Sequence, residues 1–202
     1  PDSDIYYIAN RGEAREFEAQ FRVADKAPEI WRADSGAIEP ASYRLHGEST
    51  VVPLSMAAWE SYFVVFRKSA TAPTRTIPAP TLTEIATIDT PWQVNFQAGR
   101  GAPDKATLQT LKSLSAHKEP GIRYFSGVAA YHNTFTVDFK SSKPKTVELD
   151  LGQIGDVAEV YVNGEYAGTA WKPPYRVAIT AQIKNGVNQL EIRVANLWVN
   201  RL

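Results

Sequence analysis

The stretch VAEVYVNGEYAGTAWKPPYRVAIT, Val157 to Thr180, decides how the rest of the sequence is read. Two strand-like runs, AEVYV and EYAG, meet at Asn163-Gly164. Both turn residues tolerate positive φ, and the type I′ turn that results has the twist of the strands it joins, so the pair predicts a tight hairpin. Gly168 allows a bulge or a close backbone approach, and Pro173-Pro174 cannot donate to a central ladder, so the corner is expected at a sheet edge. Trp171 and Tyr175 share that corner. The small neighbours Ala167, Gly168 and Ala170 leave room for an indole to lie over the sheet. Trp171 is therefore expected to be mainly architectural, as large aromatic rings in cores usually are, with an exposed edge of the cluster left for a ligand.

Working outward, strands follow at short intervals. VAAYHNTFTVDF and KTVELDLG precede the hairpin, and NQLEIRVANLW follows it after an Asn185-Gly186 turn, with Leu190, Ile192 and Val194 alternating with polar neighbours. WQVNFQ opens this half with Trp92, Val94 and Phe96 in alternation, and the only helix-like window, Lys105 to Leu114, reads as a loop with at most one helical turn. In the first third, REFEAQFRV sets Phe17, Ala19, Phe21 and Val23 against Glu16, Glu18, Gln20 and Arg22, and a hairpin is expected around His46-Gly47-Glu48. The opening PDSDIYYIAN reads as strand from its start, as in a segment cut from a longer chain. KSATAPTRTIPAPTL buries little and reads as a semi-extended linker. The expected fold is all-β: a small, immunoglobulin-like sandwich over 1–68, a Pro/Thr/Ala linker over 69–82 with the boundary near residue 75, and a jelly roll over 83–202.

Composition removes several kinds of function. Lys plus Arg and Asp plus Glu both number 22 in 202 residues, so the chain has no net field to gather nucleic acid or an anionic membrane. There is no cysteine, hence no disulfide, thiol nucleophile or Cys-ligated zinc. His46, His117 and His132 have no paired ligand spacing. No cofactor is expected; a structural calcium ion takes backbone carbonyls and scattered carboxylates, which leave no compact signature, so no ligands are assigned to one. Ser55 and Ser126 lack the flanking glycines of a nucleophile elbow. Asp150, Asp156, Glu159 and Glu165 lie near one another in sequence but fall on turns and hairpin edges, where carboxylates are ordinarily solvated.

The segments RYFSGVAAYHNTFTV, VELDLGQIGDVAEVYVNGEYAGTAWKPPYRVAIT and NGVNQLEIRVANLWVNRL occur in the order of the galactose-binding-like jelly roll that serves as the sugar-binding domain of family 2 glycoside hydrolases. FQAGRGAP and GIRYFSGVAAY resemble more closely the C-terminal β-domains of bacterial glycoside hydrolase family 106, the α-L-rhamnosidase-like enzymes. EIWRADSGAIEPASYR and VPLSMAAWESYFVVFR are similar to the sandwich that precedes that jelly roll. The resemblance implies an exported, periplasmic or extracellular parent protein acting on polysaccharide, whose catalytic acid and base belong to an upstream barrel of the same polypeptide. This chain, without a βα-alternating segment, would brace the barrel and contact carbohydrate. An autonomous carbohydrate-binding module and a purely structural spacer are the alternatives. Residues of the chemical types that grip sugars are Trp171, Tyr175, Trp198, Asn200, Arg201 and His132; Tyr131 and His132 are expected at the end of a strand, with one of them outward.

Overall fold

The computed structural model describes residues 3–140 and 142–198, so Asn200 and Arg201 lie outside the described residues. The chain divides into two compact units, Pro1–Leu82 and Thr83–Leu202.

The first unit is a sandwich of two four-stranded antiparallel sheets. Its strands are β1 (Asp4–Ala9), β2 (Arg15–Phe21), β3 (Lys26–Trp31), β4 (Ile38–Pro40), β5 (Tyr43–His46), β6 (Ser49–Met56), β7 (Ser61–Ser69) and β8 (Thr74–Arg75). One sheet runs β1-β7-β3-β4 and the other β2-β6-β5-β8. Side chains alternate across each strand, so Phe21, Val52, Leu54, Tyr62, Val64 and Phe66 meet in one core. Phe66 is fully buried, with the Phe21 ring tilted against it at 5.3 Å. Thr50, also fully buried, donates its hydroxyl to the Val23 carbonyl at 2.7 Å and so leaves no orphaned oxygen. The two-residue hairpin between His46 and Ser49 forms as expected, with Gly47 at φ 58°.

The Pro/Thr/Ala stretch is not linker throughout. Ser69 ends β7, and Thr74 and Arg75 add a strand to β5 opposite Arg44 and Tyr43. The Arg75 guanidinium fixes this strand: Nε donates to the Ala41 carbonyl at 3.1 Å, and the plane lies 5.0 Å over Tyr43. Composition alone hid this, because ladder bonds need backbone rather than apolar side chains. From residue 76 to 91 no strand or helix forms, and nearly every side chain is exposed. Limited proteolysis should therefore cut first between Ala79 and Thr87, detectable by mass spectrometry of the early fragments. A first cut between Ala70 and Arg75 would show that β8 is not held in solution.

The second unit has a six-stranded antiparallel sheet, β10-β9-β11-β16-β13-β14, and a two-stranded sheet, β12-β15. The strands are β9 (Trp92–Phe96), β10 (Lys105–Leu108), β11 (Val128–Val137), β12 (Glu148–Asp150), β13 (Val157–Val162), β14 (Glu165–Ala170), β15 (Arg176–Ala178) and β16 (Gly186–Ala195). Val94, Phe96, Ala158, Val160, Val162, Leu190 and Ile192 face inward, and Val147, Val177, Ile179 and Ile183 meet them in the same core. One helical turn, α1 (Pro120–Arg123), brings Ile122 into this core, and Phe125 beyond it meets the edge of Phe96 at 4.9 Å.

The window read as a loop with a possible helical turn, Lys105 to Leu114, instead begins with β10: Ala106 faces Val94 and Leu108 faces Trp92 across the ladder with β9. Burial of Leu108 against the sheet outweighs the weak local helix preference.

Candidate functional site

Asn163 and Gly164 sit at φ 54° and 84°, the left-handed values a type I′ hairpin demands. The register between β13 and β14 then shifts after Val160: Val160 faces Gly168, while Tyr161 faces Tyr166, leaving Ala167 as a bulge. A Cβ on Gly168 would lie 2.9 Å from Val177 Cγ1, so glycine is what lets β15 approach β14 this closely.

This crowding corrects the reading of Trp171. The space over Gly168 is filled by β15, through Val177, and not by an indole. Ala170 faces the core at 4% exposure, so period-two alternation turns the next residue outward, and Trp171 is 58% exposed. The Lys172 ammonium stands 5.6 Å from its ring centroid. The Pro173-Pro174 peptide that follows is cis. Tyr175 takes the architectural part instead: it is half-buried, packs on the core, and its carbonyl accepts the Leu151 N–H at 2.9 Å.

Register shows what surrounds Trp171 on the outer face of the six-stranded sheet. Ala158 pairs with Ala170, Val157 with Ala195, and Ala195 with Val128. Val157, Ala195 and Val128 form one exposed row across the end of the sheet, and the chain leaves β14 at that same end with the exposed Trp171, one residue beyond the Ala158–Ala170 pair. The segment leaving β16 adds Leu197, whose N–H donates to Asp156 Oδ2 at 3.1 Å, and Trp198, 71% exposed. The structure thus brings Trp171 and Trp198 to the same end of one sheet.

His132 does not join them. It lies within β11 rather than at its end, faces outward, and is bonded through Nε2 to the Asn95 amide at 3.2 Å. Four residues along the strand from Val128, it is ~14 Å further down the face. Tyr131 points inward with its ring edge toward Trp92 at 6.5 Å, and burial pushes its phenol up to about 12.

Level with His132, where Tyr161 and Glu191 pair across the ladder, and one step nearer the apolar row at Glu159 and Arg193, the face carries an aromatic and charged cluster not anticipated from the sequence. Tyr161 packs against Tyr166 at 5.6 Å, and the Arg193 guanidinium lies 4.4 Å over Tyr161. The Tyr161 hydroxyl donates to Glu159 Oε2 at 3.0 Å, which raises its pKa, and Arg193 pairs with Glu191 at 2.6 Å. The phase of AEVYV was the available signal: with Ala158, Val160 and Val162 inward, Glu159 and Tyr161 must face out.

Of the four neighbouring carboxylates, Asp150, Asp156 and Glu159 are each engaged with a different partner: Asp156 with the Leu197 N–H and Glu159 with the Tyr161 hydroxyl. Asp150 accepts the Gly152 N–H and pairs with Arg176 at 2.9 Å, which hold its pKa below the usual value. Among the described residues no three His, Asp or Glu side chains are grouped to hold a metal ion.

Against known proteins, residues 1–45 match the alpha-L-rhamnosidase model of glycoside hydrolase family 106, and residues 119–201 match the family 2 galactose-binding domain-like model. The rhamnosidase from Novosphingobium sp. PP1Y superposes with a TM-score of 0.91 over 98% of this chain, at 47% identity. The chain is similar to the β-domains of family 106 rhamnosidases. It spans 19% of that rhamnosidase. A Formosa agariphila protein, provisionally named a beta-glucuronidase, is 46% identical over 112 residues, which are 55% of this chain and 10% of that protein. The rhamnosidase-like jelly roll contains the whole row from Val128 to Trp198, within the galactose-binding-like match.

Proposed function

We propose that this chain is the non-catalytic C-terminal part of an exported bacterial α-L-rhamnosidase-like glycoside hydrolase, bracing a catalytic barrel of the same polypeptide and contacting carbohydrate through the Trp171 end of the jelly roll. The observation that carries this reading is the superposition of 98% of the chain on 19% of a rhamnosidase at 47% identity. A glycosidase needs two carboxyl groups ~5–9.5 Å apart, one of them protonated at working pH. Asp150 is held in the ionised state by a backbone N–H and by Arg176, the reverse of what a general acid requires. An exposed indole with the Lys172 ammonium beside it is suited to stack on the apolar face of a pyranose.

The isolated chain should show no turnover of aryl α-L-rhamnosides in a highly purified sample. Turnover abolished by substituting one of its own carboxylates would overturn the non-catalytic reading. The sugar contact has a separate test. Trp171→Ala should change stability by no more than about 0.5 kcal/mol, as for ordinary surface positions, while weakening any affinity for rhamnose- or galactose-containing oligosaccharides. Denaturant midpoints and calorimetric titration of the same variant decide it. Several kcal/mol of destabilisation with unchanged sugar affinity would restore the architectural role.

A further inference from the structure

Beside β3 and β4 of the β1-β7-β3-β4 sheet, where Arg75 of β8 comes across to the Pro28 carbonyl, lies a depression of about 420 Å³ lined by Arg67, Lys68, Arg75 and Glu29, with Ala27, Ile38 and Pro40 as its apolar floor. Consecutive residues of a regular strand point to opposite faces. Here the register between β3 and β7 shifts between Ala27 and Pro28: Ala27 faces Lys68 and Pro28 faces Phe66, which leaves Arg67 as the extra residue. Bulges re-aim side chains, and this one lets both neighbours reach the same carboxylate. Arg67 Nε lies 2.7 Å from Glu29 Oε2, and Lys68 Nζ lies 2.8 Å from Oε1. Trp31 adds its indole N–H to Oε2 at 3.1 Å and its ring under the Arg67 guanidinium at 5.2 Å.

Glu29 is 7% exposed, although its position on the strand faces outward. It is a buried counter-charge that orients the two cations above it. Among the described residues Arg67 is hydrogen-bonded only through Nε, so both Nη amino groups are open to another acceptor, and the Lys68 side chain is 65% exposed. Arg75 is anchored by the Ala41 and Pro28 carbonyls and pairs with no carboxylate among the described residues. Three cations against one carboxylate leave a net positive depression, and an apolar floor strengthens its field toward an anion. A planar guanidinium fixed in place is suited to a two-oxygen grip on carboxylate or sulfate.

We propose that this depression binds the oxyanion of an acidic sugar, a uronate carboxylate or a sulfate ester, with the pyranose resting on the Ala27, Ile38 and Pro40 floor. Glu29 is a positioning residue there. The sugar part of the assignment rests on the carbohydrate reading above; the anion part stands on the cation cluster alone.

The test titrates the whole 202-residue chain with galacturonate oligomers, a sulfated galactan oligosaccharide, a neutral rhamnose oligosaccharide and sodium sulfate, following the Trp31 indole N–H by NMR. At least one acidic sugar should shift that resonance in a saturable, salt-sensitive way. The relative affinities of the uronate and sulfated arms show which oxyanion is held. Lys68→Gln should weaken binding about tenfold, the loss expected for one charge-assisted bond, and Arg67→Gln by as much or more. Trp171→Ala should leave the Trp31 response unchanged, which separates failure at this site from failure of the proposed Trp171 contact. The proposal is overturned by equal binding of the neutral sugar, by indifference to both cation substitutions, by binding of inorganic sulfate with no acidic sugar bound, or by no response to any ligand.

Discussion

Asn188→Ala is expected to destabilise the second unit by roughly 3–5 kcal/mol, more than any surface substitution in the chain. The side chain is completely buried and fully used. Its Nδ2 donates to the Lys184 carbonyl at 2.8 Å and to the Gly186 carbonyl at 3.0 Å. Its Oδ1 accepts from the Lys184 N–H and from Asn163 Nδ2, both at 2.9 Å. Alanine would leave these groups short of partners, at about 1–3 kcal/mol for each one that water cannot reach. Asn163 is the first residue of the β13-β14 hairpin, so Asn188 ties that turn to the Asn185-Gly186 turn. Asn163→Gly keeps the left-handed turn accessible while removing the amide, and in a double-mutant cycle with Asn188→Ala the two effects should fail to add by more than about 0.5 kcal/mol. Urea midpoints of the four proteins measure this. Strict additivity, or an Asn188→Ala cost below about 0.5 kcal/mol, would show that the two turns are held independently.

Asn188 also shows what can be read from a sequence of this kind. In GVNQLEIRVA it shares a face with Leu190 and Ile192, and a polar residue in the core phase of a strand signals a buried hydrogen-bond hub. The hairpins at His46 and Asn163 were legible because a positive-φ requirement is local and few residues meet it. Trp171 was misread because the small residues before it suggested space above the sheet, whereas strand phase, set by Ala170 pairing inward with Ala158, fixes the side on which the indole stands. The β15 strand that fills the space could not be placed from local sequence. Thr74 and Arg75 were assigned to the linker for a related reason, since pairing with β5 depends on tertiary position and not on their own propensity. Within the candidate surface, Trp171 and Trp198 were identified by residue type, but their shared end of the sheet emerges only from the pairing of β16 with β13 and β11. The burial of Glu29 had no sequence signal: its phase in KAPEIW is outward, and the bulge at Arg67, with Lys68 and Trp31 beside it, brings side chains over it.

That covered carboxylate should make the first unit acid-labile in a way one substitution removes. The Arg67 bond, the largest influence, holds the Glu29 carboxyl at about 2 against an ordinary 4.5; burial opposes the shift, and Lys68 and the Trp31 N–H add to it. A depressed carboxylate stabilises the fold above its unfolded pKa, and that contribution is lost as pH falls from about 4.5 toward 2, because the unfolded chain takes up the proton first. The full interval corresponds to ~3 kcal/mol, reduced to about 2 because the Lys68 partner is well solvated. Glu29→Gln keeps the shape of the side chain but removes its charge, leaving Arg67 and Lys68 facing each other without a counter-ion. At pH 7 the variant should therefore be less stable by at least that amount. The gap between wild type and variant should then narrow steadily through pH 4 and 3 and nearly close near pH 2, while other carboxylates, Asp150 among them, act on both proteins alike. Urea midpoints followed at the Trp31 indole resonance, which reports on the first unit, provide the measurement. A gap that stays constant from pH 7 to pH 2 would mean that Glu29 contributes shape and hydrogen bonds without its charge, and the orientation of Arg67 and Lys68 would need another cause.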